Sequence, residues 1–130
     1  MLADFIASVL GKILKGNFQQ ATQALENAYY DFLKQDAGFF QGIPKEKLTE
    51  TLLKEHNYTN GHLEILAELF YAEAELAFAE SKKARSLEFY EKSLLLFEFI
   101  ERESKLFSFD KQTKLTKIKE RIADLNKVSS

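Results

Sequence analysis

Cysteine and tryptophan are absent from the 130 residues, proline occurs once and glycine five times. Without cysteine there is no disulfide framework, no thiolate zinc site and no thiol nucleophile, which suits a reducing cytosol. So little proline and glycine leaves long stretches unbroken and favours helices. No apolar run is long enough to span a bilayer. The apolar N-terminal segment has Asp4 near its start and Lys12 and Lys15 after it, the reverse of a secretion signal. A net charge of −2 gives the whole molecule no pull towards nucleic acid or an anionic membrane.

What is present is a 45% hydrophobic, 29% charged chain carrying twelve Phe and five Tyr. Those proportions describe one globular domain over residues 1–130, large enough for a single aromatic-rich core. The expected fold class is all-α, with about six helices. Leu2, Phe5, Ile6, Val9 and Ile13 form one stripe at helical spacing, with Leu10 and Leu14 beside it. This predicts an amphipathic helix over 2–15 that buries a broad face. Gly16-Asn17 then ends one helix and caps the next, which runs from about Phe18 to Lys34 with Ala21, Leu25, Ala28 and Phe32 inward. A short turn between two apolar stripes predicts an antiparallel hairpin.

Residues 35–44 hold two glycines and the single proline, yet Phe39, Phe40 and Ile43 are too apolar for a solvated linker. They are expected to plug the end of the core. A short helix from Lys45 to about Glu55 follows, burying Leu48 and Leu52, and 56–61 reads as a turn. From Asn60 to about Ser81 two adjacent stripes, Ile65-Leu69-Ala72-Leu76 and Leu66-Phe70-Ala74-Ala77, predict a helix packed on two sides at the centre. Glu73 lies among them, and a carboxylate so placed is usually paired with a Lys or Tyr. A fifth helix is expected over Lys83–Ser104. Phe107 and Phe109 are expected in the next turn, and a sixth helix carries the narrow seam Leu115, Ile118, Ile122 and Leu125. The last three residues are expected to fray.

Two turns can be overlaid: Gly16-Asn-Phe-Gln-Gln-Ala21-x-x-x-Leu25-x-x-Ala28 and Ser81-Lys-Lys-Ala-Arg-Ser86-x-x-x-Tyr90-x-x-Ser93. Each reads turn, small, large, small. The pattern resembles the tetratricopeptide repeat, with Phe5 and Phe70 at the repeat's large aromatic and Val9 and Ala74 at its small residue. The whole chain is similar to an uncharacterised family of small bacterial tetratricopeptide-like proteins. The resemblance implies two tetratricopeptide-like antiparallel hairpins, joined by an insertion with a short helix and closed by a C-terminal capping helix. Three departures accompany it: residues 35–59 separate the two copies, the helix-ending proline is missing from both, and Val9 is larger than the Gly or Ala expected there. Such scaffolds share stacked helix pairs that display a surface, not a function.

No catalytic constellation is present. His56 and His62 lie six apart across a turn, without the spacing of a helical two-histidine site, so no metal or cofactor is expected. An enzyme would need Glu73 to meet one of these histidines in a cleft, and the expectation is that the protein is not an enzyme. Charge distribution says more: residues 60–80 hold five Glu and no Lys or Arg, while 105–130 hold seven basic residues against three acidic ones. Lys111, Lys114, Lys117, Lys119 and Arg121 spread around their helix without interleaved aromatics, which disfavours nucleic-acid binding. The expected function is that of a cytoplasmic protein–protein interaction scaffold or adaptor. Its candidate contacts are the exposed acidic face Glu64, Glu68 and Glu75 and the exposed aromatics Tyr30, Tyr58 and Tyr71. The alternative is a structural homo-oligomer with the basic last helix of one copy against the acidic face of another.

Overall fold

A computed structural model of the chain describes residues 2–104 and 109–128. Those residues form seven helices and no strand. They are α1 (Leu2–Leu14), α2 (Phe18–Leu33), α3 (Ala37–Gln41), the composite α4 (45–55), α5 (Asn60–Ala79), α6 (Lys83–Ser104) and α7 (Phe109–Val128). Within α4 a 3-10 turn (Lys45–Lys47) leads through Leu48–Glu50 into a π turn (Thr51–Glu55). The fold is all-α, as the periodicity predicts. The seventh helix is α3, in a stretch whose glycines and proline suggest irregular chain. It forms because Asp36 caps it, accepting a hydrogen bond from the Phe39 amide at 2.9 Å. The 35–44 stretch does plug the core: Phe40 and Ile43 are buried and Phe39 is half-buried.

The pairs α1–α2 and α5–α6 are hairpins closed by the same backbone geometry. Gly16 and Ser81 are both left-handed, with φ of 79° and 65°. Each donates its amide three residues back, to Ile13 and Phe78, and the following residue donates five back, from Asn17 to Lys12 and from Lys82 to Ala77. This pair of hydrogen bonds satisfies carbonyls that a helix end leaves open. Asn17 stands in the capping position of α2, but its side chain makes no capping bond. The small positions behave alike in both hairpins, since Ala21, Ala28, Ser86 and Ser93 are all buried. The two serines also donate across the α5–α6 interface, Ser86 to the Ala74 carbonyl at 2.9 Å and Ser93 to the Ala67 carbonyl at 2.8 Å.

Helix α5 is central, packing on α1, α2 and α6. Eleven of its residues are buried, from Leu63 to Ala77. The insertion of α3 and α4 leans on both second helices: α3 packs on α2, and Lys45 of α4 pairs with Glu91 of α6 at 3.6 Å. Rings tie it to the core, with Phe40 stacked 5.8 Å from Tyr29, and Tyr29 6.4 Å from Phe70. Helix α7 packs on α6 through Leu115, Ile118 and Leu125, with Ile122 half-buried beside them. Phe109 belongs to α7 instead of the preceding turn, and it is exposed. Phe107 and the last two of the three residues expected to fray lie outside the described residues, whereas Val128 is the last residue of α7.

Candidate protein-binding groove

Helices α1, α5 and α7 line one groove of about 460 Å³. Its apolar wall is α1, through Leu2, Ala3, Ile6, Ala7 and Leu10, and its charged side holds Glu64 and Glu68 of α5 and Lys114 of α7. The wall exists because apolar and small side chains cover most of the circumference of α1. Only Ile6 and Val9 are fully buried against α2 and α5, while Leu2 and Leu10 stay half-buried and Ala3 and Ala7 exposed. Leu14, at the end of this helix, is 89% exposed.

The charged side is a ladder between α5 and α7. Lys111 pairs with Glu64, Lys114 with Glu68 at 2.5 Å, and Lys117 and Arg121 both with Glu75 at 3.6 Å. Tyr90 also donates its hydroxyl to Glu75. The ladder roofs Tyr71, whose ring lies 5.0 Å from the Lys114 ammonium and 5.7 Å from that of Lys117. Burial pushes the Tyr71 hydroxyl above its ordinary range, and Lys117 opposes the shift. Arg121 lies over the Phe78 ring at 4.0 Å, and its buried Nε has no hydrogen-bond partner among the described residues. Half-exposed ion pairs contribute about 0–1 kcal/mol each, so the ladder sets the register of α7 while its apolar seam supplies most of the attraction.

Five of the six candidate contacts are less exposed than expected, although Glu64 and Glu68 still line the groove. Glu64, Glu68 and Glu75 are not a free acidic face, because α7 lies across them and their side-chain exposures fall to 38%, 18% and 13%. Tyr71 is buried beneath the same ladder, not exposed. Tyr58 is only half-buried, but its hydroxyl is taken by the Leu33 carbonyl at 2.8 Å. Tyr30 is exposed as expected, on α2. The structure therefore brings Glu64, Glu68, Glu75 and Tyr71 together under α7 and leaves Tyr30 and Tyr58 outside the groove. The α1 wall was missed as a site. Its signal was the apolar arc itself, too broad for two neighbouring helices to cover.

A second polar cluster lies inside the fold. Glu73 is 6% exposed, and its Oε2 accepts from the Tyr29 hydroxyl at 2.9 Å and from Gln41 at 2.8 Å. Buried Lys92 donates to the Gln41 carbonyl at 3.1 Å, so the cluster joins α2, α3, α5 and α6. Burial raises the Glu73 carboxyl, against the Tyr29 hydrogen bond and the charge of Arg85. Neither histidine meets it. His62 closes a capping box with Thr59, three turns away along α5 at roughly 16 Å, and His56 packs edge-on to Phe39. Among the described residues, no group of three or more His, Cys, Asp or Glu is placed to hold a metal ion, and no helix is long and apolar enough to cross a membrane.

Set against known proteins, the chain matches no family model, no curated protein and no solved structure.

Proposed function

We propose that the chain is a tetratricopeptide-like protein-interaction module whose partner docks in the groove between α1, α5 and α7. The observation that carries this is the uncovered apolar wall of α1 facing a charged wall, a combination that gives both attraction and orientation. Three features support the tetratricopeptide-like reading. The two hairpins close with the same backbone bonds, both bury small residues at the helix crossing, and α7 packs on α6 as α5 packs on α2. Helix α7 then serves as the capping helix that a short helical stack requires. The lack of cysteine supports a cytoplasmic setting.

A photo-crosslinking residue at Ala7, in the wall, tests this against the same residue at Glu120 on exposed α7 surface. The expected result is a discrete protein adduct at position 7 that disappears with Leu10→Glu. Equal labelling at both positions overturns the proposal.

A further inference from the structure

Resting on that groove, we infer that the partner along α1 is a second copy of this chain, its α1 laid antiparallel on the first. The seam left open on α1 is Ala3, Ala7, Leu10 and Leu14, at 4-3-4 spacing, the repeat of a helix that packs knobs into holes. Beside it a Cβ built on Gly11 would meet nothing within 4 Å, so the approach is unobstructed. The seam is small at its first half and large at its second. About a twofold axis, Ala3 of one copy faces Leu14 of the other and Ala7 faces Leu10, so each large residue meets a small one along the whole seam. An isologous contact needs this kind of self-complementary patch.

The parallel alternative stacks Leu14 on Leu14 and Ala3 on Ala3, crowding one end and leaving a void at the other. Charge selects the same orientation. Asp4 near the start of α1 and Lys15 just past its end flank the same side of the seam, whereas Lys12 lies on the far face bonded to Ser8. Only the antiparallel pair therefore sets Asp4 near Lys15 of the other copy and opposed helix dipoles side by side. The acidic face of α5 and the basic face of α7 are already joined within one chain, which leaves α1 as the self-complementary surface.

Sedimentation velocity over a micromolar concentration series, with oxidative cross-linking, tests the inference. The wild-type chain is expected to form a dimer, and Ala7→Glu, on an exposed position, to lose it with its helical circular dichroism unchanged. Because the chain has no cysteine, Ala3→Cys and Leu14→Cys chains report orientation without background. Mixed and oxidised, they are expected to form the 3-to-14 disulfide well beyond the statistical share. A preference for 3-to-3 and 14-to-14 disulfides overturns the antiparallel pairing. A chain that stays monomeric at every concentration overturns the second copy as occupant. If photo-crosslinking at Ala7 then captures a different protein, the groove reading stands without it, and if it captures nothing, both fail.

Discussion

The hydroxyl of Tyr29 in α2 donates to the carboxylate of Glu73 in α5 at 2.9 Å, deep between the two hairpins. Burial raises both groups, Tyr29 well above its ordinary value with the charge of Glu73 adding to the shift. A carboxyl raised by the fold binds its proton more readily folded than unfolded. Its contribution to stability is therefore fully present below the unfolded value near 4.5 and is lost as pH rises through the higher folded value. Glu73→Gln keeps an acceptor for Tyr29 and removes the charge. Urea midpoints of the variant are expected to gain on those of the wild type as pH rises from about 4 to about 8. A gap that does not change with pH would count against a buried, ionising Glu73. Glu73→Ala leaves the Tyr29 hydroxyl without its acceptor and is expected to cost about 1–3 kcal/mol.

The equivalence of the two turns gives opposite predictions for two single changes. Ser81 holds φ at 65°, where glycine is favoured and serine is strained. Ser81→Gly is expected to stabilise by about 0.5–1 kcal/mol, while Gly16→Ala is expected to destabilise by about 1 kcal/mol. Chemical denaturation of both variants checks this, and a loss at position 81 would contradict the shared geometry.

Ser93 has two roles at the crossing of α5 and α6: its small size and its 2.8 Å bond to the Ala67 carbonyl. Ser93→Ala keeps the size and is expected to cost about 0.5–1.5 kcal/mol, as one hydrogen bond is lost. Ser93→Leu also forces the helices apart and is expected to cost at least a further 1–3 kcal/mol, approximately, through overpacking. Equal costs for the two variants would show that close approach is not what the position supplies.

Polar pairs hold α7 to α5, whereas apolar packing joins α5 to α6. Salt should therefore act on one contact and spare the other. In about 1 M salt, where the screening length is about 3 Å, amide hydrogen exchange in α7 is expected to quicken while α5 keeps its protection. A double-mutant cycle of Glu68→Gln and Lys114→Met is expected to return a coupling of about 0.5–1 kcal/mol. Exchange in α7 that ignores salt would mean that its apolar seam alone holds it.

Much of the fold was legible because helical periodicity is local. The hairpin turn at Gly16, the doubly striped α5 and the narrow seam of α7 each follow from residues within a few turns of one another. The pairing of Glu73 with a tyrosine could be anticipated by type, but not its identity, since Tyr29 lies 44 residues away. Helix α3 was hidden by its glycines, and its cap, Asp36, lies among other polar residues that read as loop. The site was less legible than the fold. Glu64, Glu68 and Glu75 form an outward row on α5, and nothing within α5 says that another helix will cover that row.

The sequence by itself determined that this protein is all-α, where its longer helices run, and that one of them sits at the centre. It did so because burying apolar stripes at a 3.6-residue period is the dominant local demand of the chain. Only the tertiary structure decided which charged and aromatic groups stay open. It laid the basic α7 over the acidic face and Tyr71, and left the wall of α1 uncovered. Exposure is a property of pairs of elements, and the pairing of α7 with α5 spans about a third of the chain, beyond the reach of any local pattern.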